Sequence, residues 1–265
     1  MTITKPEDVA QYYQQSSIAE NYITKRFTEP LNKIEHQQQI KIINQIIQQY
    51  QPKTILEFAP GPARLTTDII TPATTTGISI DFSDEMLSLA KARMTQHHPH
   101  KSWTFLKGDI LKSTLPLKQP ADLLFTIRFL LHFHKDDRKK IYAQAHKHLA
   151  KEGILIFECM NKTVVNPLRV LLGKSRYIVY DKLYTKQEII RELEENNFTV
   201  IKMYPILNHF YTQSLLSRPF KLLKKHHHAE KIISFFEKIP SSQPYEWIIL
   251  AQKNPLSSTP KTSTP

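Results

Sequence analysis

Acidic side chains stand at the ends of three short apolar runs, each of which continues into a turn. Glu57 precedes the turn Ala-Pro-Gly61-Pro-Ala, Asp81 ends the run Gly-Ile-Ser-Ile-Asp, and Asp109 follows Lys-Gly. Ligands of open α/β sheets bind beyond the carboxyl ends of the strands, where a turn of small residues lets the backbone approach them. Asp81 lies twenty residues after Gly61, a spacing that suits a carboxylate facing ribose hydroxyls. The three run ends together predict a nucleoside pocket.

A dinucleotide site is the alternative for the turn after Glu57. The fingerprint for such a site is G-x-G-x-x-G, and residues 59–64 read Ala-Pro-Gly-Pro-Ala-Arg, so one glycine of the three is present. Glu57 is also not part of that fingerprint. A nicotinamide-dependent oxidoreductase therefore remains open as the weaker alternative.

Hydrophobic periodicity indicates the elements that position these residues. Apolar residues at three- and four-residue spacing predict an amphipathic helix over 31–50, ended by Pro52. Ser83 ahead of two acids, and the capping-box pattern from Thr185 to Glu188, predict two further helix starts. Seven strands are predicted at 53–58, 76–80, 103–106, 121–127, 153–158, 199–205 and 245–251. Strands separated by helices predict an α/β fold with a mostly parallel sheet covered on both faces.

In their order along the chain, these features resemble the S-adenosylmethionine-dependent methyltransferases of the seven-stranded, Rossmann-like class (class I). The matching motifs are Glu57-Phe-Ala59-Pro-Gly61-Pro-Ala63, Gly77-Ile-Ser-Ile-Asp81 with the helix that runs on to Arg93, Gly108-Asp109, and the fourth strand from Ala121. The resemblance covers residues 8–253, nearly the whole chain. It implies an antiparallel last strand, and S-adenosylmethionine as the cofactor.

The resemblance also implies which positions hold the cofactor. Asp81 would bind the ribose hydroxyls, and Phe82 would pack on the adenine. Asp109 would accept the adenine amino group, with Ile110 beside the ring. The implied cofactor-binding residues are Glu57, Ala59, Gly61, Ala63, Asp81, Phe82, Asp109, Ile110, Arg128, Tyr22 and Arg26.

The methionine part of the cofactor would face Glu57 and the turn 59–63, with Arg128 beneath it. From their position in the N-terminal segment, Tyr22 and Arg26 are expected to meet its carboxylate. Ala59 and Ala63 replace two glycines of the family motif. Alanine is expected to be tolerated there unless the backbone requires a positive φ.

The candidate catalytic base is His132, in the sequence Leu-His132-Phe-His that follows the fourth strand. This segment resembles the leucine–histidine–aspartate–tryptophan loop of small-molecule O-methyltransferases, although Phe133 and His134 replace the last two residues. Packing or surface exposure remains the alternative for His132. The expected reaction is methyl transfer, with oxygen as the acceptor atom.

The acceptor is expected to be a small molecule that is apolar, aromatic or lipid-like. Its pocket would lie against residues 161–184 and 208–243, which are rich in Tyr, Phe, Leu and Ile. The fourth strand lacks the Asn/Asp-Pro-Pro-aromatic motif of enzymes that methylate flipped bases, so nucleic acid is not the favoured acceptor.

The charge distribution keeps a second hypothesis open. The net charge is +12, and residues 201–265 carry nine basic and three acidic side chains. The alternative function is therefore a non-catalytic S-adenosylmethionine-binding protein whose basic C-terminal helices bind nucleic acid or an anionic membrane. A lysine-rich solvated surface explains the same charge without any partner.

Metal, disulfide and membrane-spanning sites are not expected. Cys159 is the single cysteine and is expected in the core, while His97, His98, His100 and His226–His228 are expected at the surface. No apolar run is long enough to span a bilayer, the first eight residues lack a signal-like run, and the expected location is the cytoplasm.

The chain is expected to divide into three parts. A helical cap would occupy residues 1–50, the S-adenosylmethionine-binding domain residues 51–253, and a disordered tail residues 254–265. Two inserted helices are expected within 208–243, ahead of the last strand.

Overall fold

A computed structural model describes residues 29–98, 100–112, 115, 117, 119–173 and 179–255. Eight strands form one sheet in this part of the chain: β1 (Thr54–Phe58), β2 (Thr76–Asp81), β3 (Trp103–Lys107), β4 (Ala121–Thr126), β5 (Leu149–Asn161), β6 (Leu183–Tyr184), β7 (Phe198–Ile206) and β8 (Glu246–Lys253). The described helices are α1 (Pro30–Tyr50), α2 (Arg64–Asp68), α3 (Asp84–His97), α4 (Lys135–His148), α5 (Lys162–Leu172), α6 (Lys186–Glu195), α7 (Phe210–Leu222) and α8 (His226–Glu237).

The sheet has the order β3-β2-β1-β4-β5-β8-β7, and the two-residue β6 pairs with the end of β5. β8 is antiparallel to both β5 and β7, and the other pairs are parallel. The α/β fold, the seven strands and the antiparallel last strand are therefore confirmed. The sequence analysis missed β6, because two residues carry no readable periodicity.

Two apolar layers hold the helices on the sheet. On one face, isoleucines of α1 pack against β1, β4 and β5, with Ile43 and Ile46 fully buried. On the other face, α4 and α6 pack through residues such as Tyr142 and Leu193. Both faces of the parallel sheet are thus covered, and the carboxyl ends of its strands remain as the place for a ligand.

The predicted helix signals are confirmed. The Ser83 hydroxyl accepts from the Met86 backbone N–H, and Thr185 and Glu188 form a complete capping box. α1 ends at Tyr50, and its C-cap residue Gln51 adopts a left-handed conformation ahead of Pro52. Residues 208–243 contain the two expected helices, α7 and α8. Cys159 is fully buried, as expected.

Candidate functional site

The turn after β1 has an alternating left-handed backbone. Ala59, Gly61 and Ala63 have φ values of 52°, 54° and 56°, with prolines between them. The turn is fixed to the sheet by the Ala59 N–H, which donates to the Ile80 carbonyl at 2.8 Å. A Cβ added at Gly61 would meet no heavy atom within 4 Å, so the space above this residue is open. The backbone can therefore approach a ligand at Gly61.

The positive φ values change the expectation for the two alanines. An L-residue in the left-handed region costs roughly 1–2 kcal/mol, because its Cβ approaches the following carbonyl oxygen. Ala59 and Ala63 therefore sit where the backbone favours glycine. Alanine was expected to be tolerated unless the backbone required a positive φ, and φ is positive at both positions.

Asp81 joins the end of β2 to this turn. The Gly61 N–H donates to its Oδ2 and the Ser83 N–H donates to its Oδ1, each at 3.0 Å. Burial raises the pKa of Asp81, although the backbone donors act in the opposite direction. Each oxygen of an ionised carboxylate has a second lone pair, so Asp81 can still accept from a ligand hydroxyl.

The residues expected around the adenine lie at neighbouring strand ends. The Phe82 side chain is 42% exposed next to Asp81, which is unusual for a phenylalanine and suits contact with a planar ring. Asp109 is partly exposed, and its Oδ1 accepts from the Leu111 N–H at 3.0 Å. Ile110 is 5% exposed and packs in the core.

Glu57 lies inside the domain. Thr66 of α2 and Ser79 of β2 both donate a hydroxyl to its Oε2, each at 2.6 Å. Burial raises the pKa of Glu57 to about 7. The side chain thus connects three elements behind the turn, whereas the sequence analysis expected it to face the methionine part of the cofactor.

His132 lies in a 3₁₀ turn, Leu130–His132, that follows β4. Its Nδ1 is 3.0 Å from Asp181 Oδ1 and 3.1 Å from the Tyr180 carbonyl oxygen. Asp181 Oδ2 in turn accepts from Arg169 Nη2 at 2.5 Å. Burial acts to raise the pKa of Asp181, but the hydrogen bond from His132 and the nearby positive charges outweigh it and lower this pKa. The arrangement is a histidine oriented by a carboxylate.

The segment that carries Asp181 is held against the turn after β4. The Lys182 N–H donates to the Leu131 carbonyl at 2.6 Å, and the His134 and Tyr180 rings stack at 4.2 Å. Phe133 is buried in the core. The two positions that break the O-methyltransferase pattern therefore have packing roles here. Through its stacking on Tyr180, His134 helps to fix the segment that carries the Asp181 carboxylate.

A buried polar cluster lies between α1 and the same edge of the sheet. The Arg128 N–H donates to Glu158 Oε1 at 2.5 Å, and Gln39 Nε2 donates to Glu246 Oε1 at 3.0 Å. Arg64 Nη2 donates to Gln39 Oε1 at 3.1 Å. Burial raises the pKa of Glu158 to about 8 and also raises that of Glu246. Burial therefore favours the neutral form of both carboxyl groups.

The structure brings most of the predicted residues to one edge. The residues at or directly after the carboxyl ends of β1 to β4 are the turn 59–63, Asp81, Phe82, Asp109, Arg128 and His132. Tyr22 and Arg26 lie outside the described residues. Sequence reasoning missed Asp181, Arg169 and the Gln39–Glu246 pair. No local motif could have shown them, because Gln39 and Glu246 are 207 positions apart.

Other expectations concern metals and membranes. Within the described ranges, no three His, Cys, Asp or Glu side chains are grouped as a metal site would need. His97, His100, His227 and His228 are exposed, and His98 and His226 are partly exposed. None of the helices in the described part is both long and apolar enough to cross a bilayer.

Comparison with known proteins supports the same assignment. Residues 55–153 match a family model described as a methyltransferase domain. A comparison with curated protein sequences gives no significant match.

Solved structures with a similar fold cover most of the chain. Magnesium protoporphyrin IX methyltransferase from Synechocystis PCC 6803, with bound SAH, is 12% identical with a TM-score of 0.67, over 94% of this chain and 100% of that chain. A S-adenosylmethionine-dependent methyltransferase from Clostridium acetobutylicum ATCC 824 is 14% identical with a TM-score of 0.59, over 92% of this chain and 99% of that chain. An O-methyltransferase family protein from Burkholderia thailandensis is 12% identical with a TM-score of 0.59, over 82% of this chain. The alignment covers 56% of that protein, so this chain spans little more than half its length.

The sheet order and the antiparallel last strand are those of the class I, Rossmann-like methyltransferase fold, and the matched domain lies within it. Residues 55–153 match a methyltransferase domain, and S-adenosylmethionine-dependent methyltransferases have the same fold over most of the chain.

Proposed function

We propose that this enzyme transfers a methyl group from S-adenosylmethionine to a hydroxyl oxygen of a small-molecule acceptor. The observation that carries the proposal is the pair formed by His132 and Asp181. This pair lies at the edge of the sheet that also carries Gly61 and Asp81. We therefore infer that His132 is the base that removes the hydroxyl proton of the acceptor.

The residues at the edge fit the cofactor. The open space above Gly61 leaves room for the methionine part against the backbone of the turn. Asp81 keeps acceptor capacity for ribose hydroxyls, and Phe82 offers an exposed ring for the adenine. Asp109, which follows the neighbouring strand β3, would accept the adenine amino group, and the buried Ile110 would flank the ring.

The methionine end of the cofactor has further candidate partners. Glu57 would act by holding the turn 59–63 in place, since its carboxylate is shared by Thr66 and Ser79. Arg128 would lie beneath the methionine, and Tyr22 and Arg26 remain proposals for its carboxylate. The proposed division of the chain is a helical cap of residues 1–50, a domain of residues 51–253 and a tail of residues 254–265, although α1, the described part of the cap, packs on the sheet itself.

The partners of His132 decide which ring nitrogen is basic. Asp181 Oδ1 and the Tyr180 carbonyl are both acceptors, so Nδ1 must carry the hydrogen that bonds to them. In the neutral ring the lone pair then lies on Nε2. His132 can therefore take the hydroxyl proton on Nε2, and Asp181 stabilises the positive ring that results. Bound S-adenosylmethionine supplies the methyl group on a positively charged sulfonium, so alignment and proton removal remain for the protein.

The nature of the acceptor is supported by the surroundings of the edge and by similar folds. α5 and α7 follow the carboxyl ends of β5 and β7 and are rich in apolar residues, of which Val164 is buried and Phe210 is partly buried. One structure of similar fold is named for magnesium protoporphyrin IX and another for O-methyl transfer. An apolar or aromatic small molecule with a hydroxyl group is therefore the proposed substrate class.

The experiment is a screen of hydroxyl-bearing acceptors with methyl-labelled S-adenosylmethionine, using the parent protein, His132→Gln and the control His97→Gln. Calorimetry with S-adenosylmethionine and with NAD accompanies the screen. We expect His132→Gln to lower kcat by about a hundredfold, with unchanged S-adenosylmethionine affinity, because only general base catalysis is lost. His97 is exposed and its replacement should change neither value.

Asp181→Asn separates the positioning role of Asp181 from simple packing. Asparagine can still accept from Nδ1–H but no longer stabilises the protonated ring, so kcat should fall while the affinity for S-adenosylmethionine stays unchanged. An unchanged kcat in His132→Gln would remove His132 as the base. Binding of S-adenosylmethionine without turnover of any acceptor would instead favour the non-catalytic alternative.

A further inference from the structure

α7 has an inverted polarity for a surface helix. The polar side chains of Gln213 and Ser217 are fully buried, whereas Leu215 and Leu222 are 67% and 77% exposed. Gln213 is held inside because its Nε2 donates to the Ile233 carbonyl and to Glu237 Oε1, at 3.2 Å and 2.5 Å. The outward face of α7 is therefore apolar. Such a face on a helix usually contacts a partner.

The turn between α7 and α8 extends this apolar face and surrounds it with positive charge. Leu222 and Leu223 are 77% and 66% exposed, and the residues around them are Lys221, Lys224, Lys225 and His226–His228. Apolar side chains at a tip flanked by lysines can insert into a lipid surface while the lysine amino groups remain at headgroup level.

The acidic side chains of this segment do not neutralise its outer surface. Residues 208–243 contain six Lys and Arg but two Glu. Glu237 accepts the backbone N–H groups of Leu207 and Asn208, and so points inward. Glu230 forms an ion pair with Lys33 of α1 at 2.8 Å. Glu29, ahead of α1, pairs with Lys221 at 2.7 Å, so Lys224 and Lys225 carry the positive charge that faces a partner.

The exposed face lies near the acceptor side of the sheet. The Tyr211 hydroxyl donates to the Val164 carbonyl at 2.6 Å, which places the start of α7 against the start of α5. α5 follows the carboxyl end of β5 and ends in Val170 and Leu171, which are 84% and 81% exposed.

We propose that the outward face of α7 and the α7–α8 turn form a peripheral docking surface for an anionic phospholipid bilayer. Leu222 and Leu223 insert among the acyl chains, and Lys224 and Lys225 contact the acidic headgroups. Exposed leucines next to Lys224 and Lys225, which form no ion pair with the described residues, select a partner that is both negatively charged and apolar; a bilayer has both properties and a nucleic acid does not. This proposal does not depend on the methyl-transfer reaction.

The test is co-sedimentation of the full chain with vesicles. One set contains phosphatidylcholine and the other a mixture of phosphatidylcholine and phosphatidylglycerol. We expect binding to the anionic vesicles that weakens as salt is added, because the lysine contribution is screened. Leu222→Ser with Leu223→Ser should lower the partition coefficient at least about tenfold, since each buried leucine adds strongly to binding. Lys224→Gln should lower it about fivefold.

The matched control is Ile70→Ser. Ile70 is 74% exposed in the loop between α2 and β2, at the opposite edge of the sheet, and its replacement should leave vesicle binding unchanged. Circular dichroism of each variant checks that the fold is retained.

Several results would overturn the proposal. These are no binding to anionic vesicles, an equal loss in Ile70→Ser, or retention by RNA or DNA that exceeds retention by vesicles. A stable dimer in light scattering that Leu215→Ser dissociates would assign the apolar face to a second copy instead.

Discussion

Replacing Glu57 by glutamine tests whether ionisation of this buried side chain lowers the stability of the protein as pH rises. Glu57 is 3% exposed, and burial raises its pKa from 4.5 to about 7. The folded state therefore favours the neutral carboxyl group. Below pH 4.5 Glu57 is neutral in both states and causes no penalty. Between pH 4.5 and 7 the unfolded chain releases this proton while the folded chain retains it, so stability falls as pH rises.

The size of this effect follows from the difference between the two pKa values. A shift of one unit corresponds to about 1.4 kcal/mol, so Glu57 costs about 3 kcal/mol of unfolding free energy once the pH exceeds 7. At pH 5 the cost is below about 1 kcal/mol. Glutamine cannot ionise and removes the whole pH-dependent part.

The hydrogen bonds of Glu57 make glutamine a suitable replacement. Thr66 and Ser79 both donate to the same oxygen, Oε2, so a single amide oxygen can accept both hydroxyls. We expect the difference in unfolding free energy between Glu57→Gln and the parent to grow by about 2–3 kcal/mol in favour of the variant from pH 5 to pH 8. Any fixed cost of the amide is the same at every pH.

The assay is urea denaturation followed by circular dichroism at pH 5, 6, 7 and 8, without cofactor. Glu194→Gln is the matched control, because Glu194 is exposed and near the end of α6. Parallel pH profiles for Glu57→Gln and the parent would refute the reasoning. If the unfolding free energies of the two proteins differed by the same amount at every pH, packing and not ionisation would distinguish the two side chains.

Three further predictions concern the backbone and the core. Because φ is 52° at Ala59, Ala59→Gly should raise the unfolding free energy by about 0.5 kcal/mol. Ala59→Val should lower it by more than about 2 kcal/mol. The denaturation midpoints of the two variants test both values. Glu192→Gln should cost about 3 kcal/mol in the same assay, since Arg138 Nε and Nη2 donate to that carboxylate at 2.8 Å and 2.6 Å in the core; a loss below about 1 kcal/mol would contradict this. Gly77→Ala should cost about 1–3 kcal/mol, because a Cβ would overlap the Trp103 ring, and an unchanged thermal midpoint would show that the ring moves freely.

The strands of this fold were predictable because they are dictated by local pattern. Apolar β-prone runs and Ser83 and Thr185 capping signals act within a few residues of chain, and the structure has strands and helices at those places. The exception, β6, consists of two residues and exists because residues 183–184 pair with the end of β5. Its stability comes from a distant strand and leaves no local signal.

The two alanines show a limit of motif reading. Ala59 and Ala63 match the spacing of the family glycines, so their place in the turn was predictable. Their left-handed φ values were not, because the conformation is imposed by how the turn meets β2, including the Ala59 hydrogen bond to Ile80. An L-residue adopts that conformation only where its surroundings require it.

The sequence by itself determined the α/β class, the order of the elements and the strand ends that carry Gly61, Asp81, Asp109 and His132, because all of these depend on residues close together in the chain. Only the tertiary structure decided which side chains contact each other. Asp181 reaches His132 across 49 positions, and Gln39 reaches Glu246 across 207. The tertiary structure also buries the side chain of Glu57 and exposes that of Leu222. The physical reason is that side-chain partners and burial are set by packing between elements that no short stretch of sequence contains.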